Sequence, residues 1–131
     1  MMIQYERTSA FTRDLKKLLK RFRTLKDDLE IAQKNAIELY HLRGIDNLAI
    51  FPVTGSGSHP EWQFFKVKKF ACRAMKGRGA MSGIRVIYAY SEASKKIVYL
   101  EIYFKADQKN ERHDRIQEFS GLARAKNRSS P

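Results

Sequence analysis

The sequence is short of several things. It has one cysteine and three prolines, and over the 30 residues from Trp62 to Ser91 it has neither aspartate nor glutamate. The lone Cys72 cannot form an internal disulfide, which excludes a disulfide-stapled secreted scaffold and fits a reducing compartment. Cys72 itself reads as a small buried hydrophobe rather than a nucleophile. No run approaches the roughly 18 apolar residues of a membrane span, and no apolar signal-like stretch follows Met1, so a cytoplasmic location is expected. His41, His59 and His113 lie far apart without ligand spacing, so no metal site is expected. Gly77 and Gly79 in Lys76-Gly77-Arg78-Gly79 lack the spacing of a phosphate-cradling loop and read as a hairpin turn with basic flanks. No cofactor is expected.

What the chain does have is positive charge. Lys and Arg number 26 against 14 Asp and Glu, so 26 − 14 leaves +12 on 131 residues, 43% of them hydrophobic. That apolar content supports a core, and the length suits a single domain, read as 1–126 with a disordered tail over 127–131. An excess of this size points to a polyanion or an acidic protein as partner, with solubility as the blander explanation. The acid-free segment carries Lys66, Lys68, Lys69, Arg73, Lys76, Arg78 and Arg85. Same-sign side chains crowded on a sheet repel one another unless an anion compensates, so this block reads as functional.

Periodicity predicts an α+β fold. Met2–Arg7 reads as a short strand, with Thr8 or Ser9 as an N-cap. Phe11, Leu15, Leu18, Leu19 and Phe22 recur at helical spacing. Thr24 with Asp27 has the form of a second helix start, and that helix runs to about His41, burying Leu29, Ala32, Ala36, Leu39 and Tyr40. Arg43–Pro60 reads as a long connection with a short strand around Leu48–Phe51. Three strands joined by short turns follow, over Phe64–Met75, Ile84–Tyr90 and Ile97–Phe104, as an antiparallel meander. A last helix is expected from Arg115 to about Lys126. The two-helix hairpin should cover one sheet face, leaving the other open except where the last helix reaches it.

Side chains alternate across a strand, which places Lys69, Arg73, Arg85, Tyr99, Glu101, Tyr103 and Lys105 on the open face. Cations, tyrosines and a carboxylate together suit a phosphate backbone with bases stacked beside it. The same set suits metal-free RNA cleavage, in which a 2′-hydroxyl attacks the adjacent phosphate. That reaction needs a base, an acid for the leaving oxygen, and positive charge for the transition state. A Lys or Tyr among several cations would have its pKa lowered and so exchange a proton. Binding and cleavage both stay open on pattern alone.

Three motifs carry a family resemblance. Phe11-Thr12-Arg13-Asp14-Leu15-Lys16-Lys17-Leu18 after a short strand resembles the first helix of the RelE/ParE toxin superfamily. Ser82-Gly83-Ile84-Arg85-Val86-Ile87-Tyr88 is similar to its Gly-x-Arg-Val-x-Tyr strand, and Leu100-Glu101-Ile102-Tyr103-Phe104-Lys105, with Asp107 and Asn110, to its closing strand. The Lys-Gly-x-Gly turn looks like that of the HigB-like branch. The resemblance spans residues 2–120. It implies a toxin of a type II toxin–antitoxin module, most of which are messenger-RNA endonucleases acting on the ribosome. It implies that Arg85 binds phosphate, that Lys69 and Arg73 belong to the basic residues of the preceding strand, and that Tyr103 and Lys105 are the last active-site side chains. Lys66, Lys68, Lys76, Arg78 and Tyr99 would contact RNA. No His or Glu matches the acid/base position that some branches use, which leaves Glu101 and His113 as stand-ins. The 43–64 loop and the 76–82 turn are longer than in compact members. The partners implied are mRNA, the ribosome and an acidic antitoxin in a hetero-oligomer. The alternatives are a non-catalytic, ParE-like gyrase inhibitor and a basic nucleic-acid- or protein-binding module without toxin activity.

Overall fold

The computed structural model describes residues 2–55 and 57–129. Strand β1 (Gln4–Arg7) leads into helix α1 (Ser9–Leu19), whose first turn is closed by Thr8: its Oγ1 accepts from the Phe11 N–H at 3.1 Å. Phe11, Leu15 and Leu18 bury the apolar stripe of α1. Helix α2 (Leu25–Ala32) continues through a π-helical turn (Gln33–Ile37) into α3 (Glu38–Arg43), which ends at Gly44 in the left-handed conformation. The wider turn advances the buried stripe by a residue. Ile37 is therefore fully buried, while Leu39, expected in the core, is only half-buried. Thr24 does not form the expected cap. Its hydroxyl donates to Asp28 at 2.7 Å and accepts from the Ala74 N–H at 2.9 Å, tying a distant loop to α2 instead.

Strands β2 (Ile50–Pro52), β3 (Gln63–Val67), β4 (Ile84–Ser91) and β5 (Lys96–Phe104) follow, and α4 (His113–Ser129) closes the chain. The sheet has five strands in the order β1-β5-β4-β3-β2. It is mixed rather than a plain meander, because β1 runs parallel to β5 while the other pairs are antiparallel. Only a long crossover can join parallel neighbours, and the helices supply part of it. Helix α4 passes the expected end at Lys126. Of the tail expected to be disordered, Ser130 and Pro131 lie outside the described residues.

Two departures from the expected strands decide where side chains point. First, β3 stops at Val67 rather than Met75, and residues 68–83 form an irregular loop. The loop is anchored by buried Asp28, which accepts from Arg73 N at 3.3 Å and Nε at 3.1 Å, and by buried Ser82, which donates to the Phe70 carbonyl. It re-enters β4 through Gly83 at φ +84°, where an added Cβ would meet the Phe104 ring at 3.3 Å. Second, Ile87 pairs with Glu101 but Tyr88 pairs with Tyr99, so Leu100 is an extra residue in β5. This bulge inverts the alternation. Ile97, Tyr99 and Ile102 face the α1–α3 side, whereas Val98, Leu100 and Tyr103 face the other.

Each face has its own core. On one, Phe11, Leu15, Leu25 and Ile37 pack over Val86, Tyr88 and Tyr99. On the other, Ile116 and Phe119 of α4 cover Phe64, Ala89, Val98 and Leu100, with Trp62 edge-on to Phe119 at 5.2 Å. Helices thus occupy both faces, not one, with partly buried Arg85 and buried Tyr103 side by side on the face that carries α4.

Arg115 clamps α4 in place. It makes paired hydrogen bonds to Asp14 of α1 at 2.8 and 3.0 Å and donates to the bulged Leu100 carbonyl at 3.0 Å. Asp14 also accepts from Ile102 N at 3.3 Å. Arg115→Met should cost about 2 kcal/mol, the scale for a charged hydrogen bond lost with its partner left half-buried. Denaturant unfolding reads the loss, and hydrogen exchange should rise in α4 first.

His41 sits under the sheet, its Nε2 2.7 Å from the Tyr88 hydroxyl and its ring stacked on Tyr90 at 4.0 Å. Burial, with a smaller contribution from Lys95, pulls its pKa down from 6.5 to about 4. Folding therefore favours the neutral ring. The stabilisation is complete above about pH 6.5 and is lost as pH falls toward about 4, on the order of 2 kcal/mol after allowance for partial exposure. Chemical denaturation of His41→Phe across that window should show a flatter pH dependence than the parent.

Candidate functional site

The sheet end at Arg85 and Tyr103 is built from three strands and the segment before α4. Arg85 on β4 is the cross-strand partner of Tyr103 on β5, and Lys66 on β3 is opposite Ile87, one step along the same face from Arg85. Arg85 lies partly buried, with Nη1 donating to the Lys68 carbonyl at 2.6 Å, so the guanidinium is held against the point where β3 ends. The Lys66 ammonium lies 2.6 Å from Glu111 Oε2, and both side chains are largely hidden, at 15% and 11% exposure. His113, the first residue of α4, brings Nε2 to 3.9 Å from Glu111 Oε1.

Glu101 and Tyr103 form the floor. Glu101 is 2% exposed, and its carboxylate accepts from the Arg112 N–H at 2.9 Å and from Gln108 Nε2 at 2.7 Å. It is committed to holding the 105–112 segment, and so it sets where Glu111 stands. Tyr103 is 5% exposed and its pKa is raised, first by burial and then by the charges of Glu111 and Glu101, against a smaller opposing pull from Arg85, with its hydrogen bond to Glu111 adding to the rise. The activated tyrosine expected among cations is therefore not what burial produces. Tyr103 keeps its proton and can donate a hydrogen bond. Burial pushes the Glu111 carboxyl up, but the Lys66 hydrogen bond and charge, a backbone hydrogen bond and His113 outweigh it, leaving Glu111 below the usual carboxylate range.

The remaining sequence candidates scatter. Lys105, one residue beyond β5, is exposed at the same end, its N–H bonded to the Gly83 carbonyl at 2.8 Å. Lys68 lies over the Phe51 ring at 4.5 Å. Lys69 lines a groove with Ile31 and Asn35 on the α2 side. Arg73 is turned to Asp28 at 3.1 Å and Asp27 at 3.6 Å. Neither lies on the Arg85 face, because alternation holds only for extended backbone and the chain leaves β3 at Val67. Lys76 and Arg78 are exposed on the 68–83 loop. Tyr99, expected to stack on bases, is 1% exposed and stacked between Phe11 at 5.0 Å and Tyr5 at 5.9 Å, because the bulge turns it inward. Glu111 carried no signal in the sequence, since it lies 45 residues from Lys66. Among the described residues, no group of three or more His, Cys, Asp or Glu is placed to hold a metal ion.

The arrangement is a cationic sheet end in which one carboxylate, Glu111, is paired with Lys66, chemistry suited to a phosphodiester. No protein-family model and no curated protein matches the chain. Among solved structures it is similar to the archaeal RelE-RelB complex from Pyrococcus horikoshii OT3, at 13% identity and a TM-score of 0.48, over 80% of this chain and 97% of that one. No helix among the described residues is long and apolar enough to cross a membrane.

Removing Lys66 should free the opposing effect of burial on Glu111. In Lys66→Met, a carboxyl-carbon NMR titration should find the Glu111 pKa higher than in the parent. An unchanged value would mean that the ion pair does not govern it.

Proposed function

We propose that the protein is the toxin of a type II toxin–antitoxin module and cleaves messenger RNA on the ribosome without a metal ion. The observation that carries this reading is the convergence of Arg85, Lys66 and Tyr103 on one end of a sheet face, in a chain of net charge +12. The resemblance of its Gly83-x-Arg85-Val86-x-Tyr88 strand to the RelE/ParE pattern supports it independently. Arg85 would hold the scissile phosphate and stabilise the charge that builds on it in the transition state, usually the largest catalytic contribution. Tyr103 would donate a hydrogen bond to a phosphate oxygen, and Lys105 would add charge at the rim. Lys68, Lys76 and Arg78 would engage the RNA backbone beyond the cleavage point, a sequence-independent and salt-sensitive contribution. The protein partner would be an acidic antitoxin covering this surface in the cytoplasm.

Controlled expression with mapping of transcript 5′ ends tests the reading. The parent protein should arrest growth and create new 5′ ends within translated messages. Arg85→Ala should abolish both, by about 100-fold or more in cleavage rate, with its melting temperature close to the parent's. Undiminished arrest by a folded Arg85→Ala protein would remove Arg85 from the mechanism. Arrest without new 5′ ends would favour gyrase inhibition instead.

A further inference from the structure

Lys66, the residue opposite Ile87 on the Arg85 face of the sheet, is not open to solvent but closed onto Glu111, in the segment between β5 and α4. A lysine at a phosphate-binding surface is expected to be solvated and available. Here the ion pair is nearly hidden, 2.6 Å long, and joined from the far side by His113 at 3.9 Å. Among the described residues, the groups shown acting with Glu111 are Lys66 from β3, Tyr103 from β5 and His113 from α4, with Glu101 acting on the same Tyr103 hydroxyl. Glu101, the stand-in base suggested by sequence, is consumed by Arg112 and Gln108. Glu111 is bound instead by groups of this surface, Lys66 at 2.6 Å and the Tyr103 hydroxyl, and anchors no other segment among the described contacts.

We propose that Glu111 is the general base of this site, released by its substrate: an RNA phosphate takes Lys66, and the freed carboxylate accepts the proton of the attacking 2′-hydroxyl. This rests on the reading of the protein as an RNA endonuclease. In the step, a bond forms between the 2′-oxygen and phosphorus while the bond from phosphorus to the 5′-oxygen breaks. The 2′-hydroxyl proton passes to Glu111, and the departing 5′-oxygen takes a proton from the His113 imidazolium. The products are a 2′,3′-cyclic phosphate and a 5′-hydroxyl, with no water consumed and no oxidant or metal involved. Lys66, paired until RNA arrives, keeps the carboxylate ionised and turned away from solvent. Once Lys66 moves to the phosphate, Glu111 loses its main acidifying contact and gains a negative neighbour, so its basicity rises when it is needed.

The test uses the full-length protein on translating ribosomes carrying a defined message, with single-turnover cleavage followed against pH. The parent should cleave to 5′-hydroxyl ends. Glu111→Gln should slow cleavage by about 100-fold or more and lose the acidic limb of the pH profile. It should bind a 2′-deoxy-blocked RNA at least as tightly as the parent, since a carboxylate has left a cationic surface. A residue with a merely structural role would not separate cleavage from binding in this way. Glu111→Asp keeps the charge but withdraws it by one methylene, and should lose about 10-fold; it serves if the glutamine variant does not fold. A parent that cleaves, with either folded variant within threefold of it, overturns the assignment of Glu111 and leaves the endonuclease reading standing. A parent that does not cleave overturns the reading, and the base with it.

Discussion

The extra residue at Leu100 in β5 is the constraint from which the two faces of this sheet take their character. Before it, alternation puts Tyr99 inward among Phe11 and Tyr5; after it, the phase is reversed, and Tyr103 falls on the same side as Arg85. An unbulged strand would keep Tyr99 and Tyr103 on one face, and a core position or a site position would be lost. At the bulge the Leu100 carbonyl accepts from Arg115, which also binds Asp14, and α4 lies over Val98 and Leu100. One irregular residue thus connects the hairpin helices, the sheet edge and the closing helix. It also limits how much of the second face α4 can cover.

The electrostatics of the site follow from that coverage. The cations on that sheet end are not simply displayed. Arg85 is held by the Lys68 carbonyl, and Lys66 by Glu111, while Glu101 fastens the segment that delivers Glu111. The surface is therefore partly self-neutralised when empty, which answers the repulsion expected of an acid-free basic block. Arg73 answers the same problem differently, by pairing with Asp28 under the 68–83 loop. Part of the basic excess is spent on folding, and a smaller set of cations is left for an anionic ligand.

The α+β class, the helix hairpin, the order of the last three strands and the closing helix were legible in the sequence, because each rests on local periodicity and turn chemistry. Arg85 was legible too, since it lies in a regular strand whose alternation is unbroken on its side. Lys69, Arg73 and Tyr99 were misplaced for two distinct reasons. The first two lie where β3 has already ended, and its end is set by Asp28 and Ser82 reaching across from elsewhere. Tyr99 lies before a bulge, and the strand-forming residues around it, Val98, Leu100 and Ile102, give the bulge no local signature. The π-helical turn displaced Leu39 in favour of Ile37 by the same kind of one-residue shift.

The sequence alone determined composition-level facts and element-level ones: the net positive charge, the helical and extended segments, and the arginine of the Gly83-to-Tyr88 strand. These depend on residue type and on neighbours within a turn or a strand. Which cations share a surface, which tyrosine is buried, and that Glu111 meets Lys66 were decided only by tertiary structure. Those outcomes depend on contacts between residues distant in the chain, such as Lys66 and Glu111, on one bulge, and on where a loop is tethered, and none of these leaves a periodic trace along the chain.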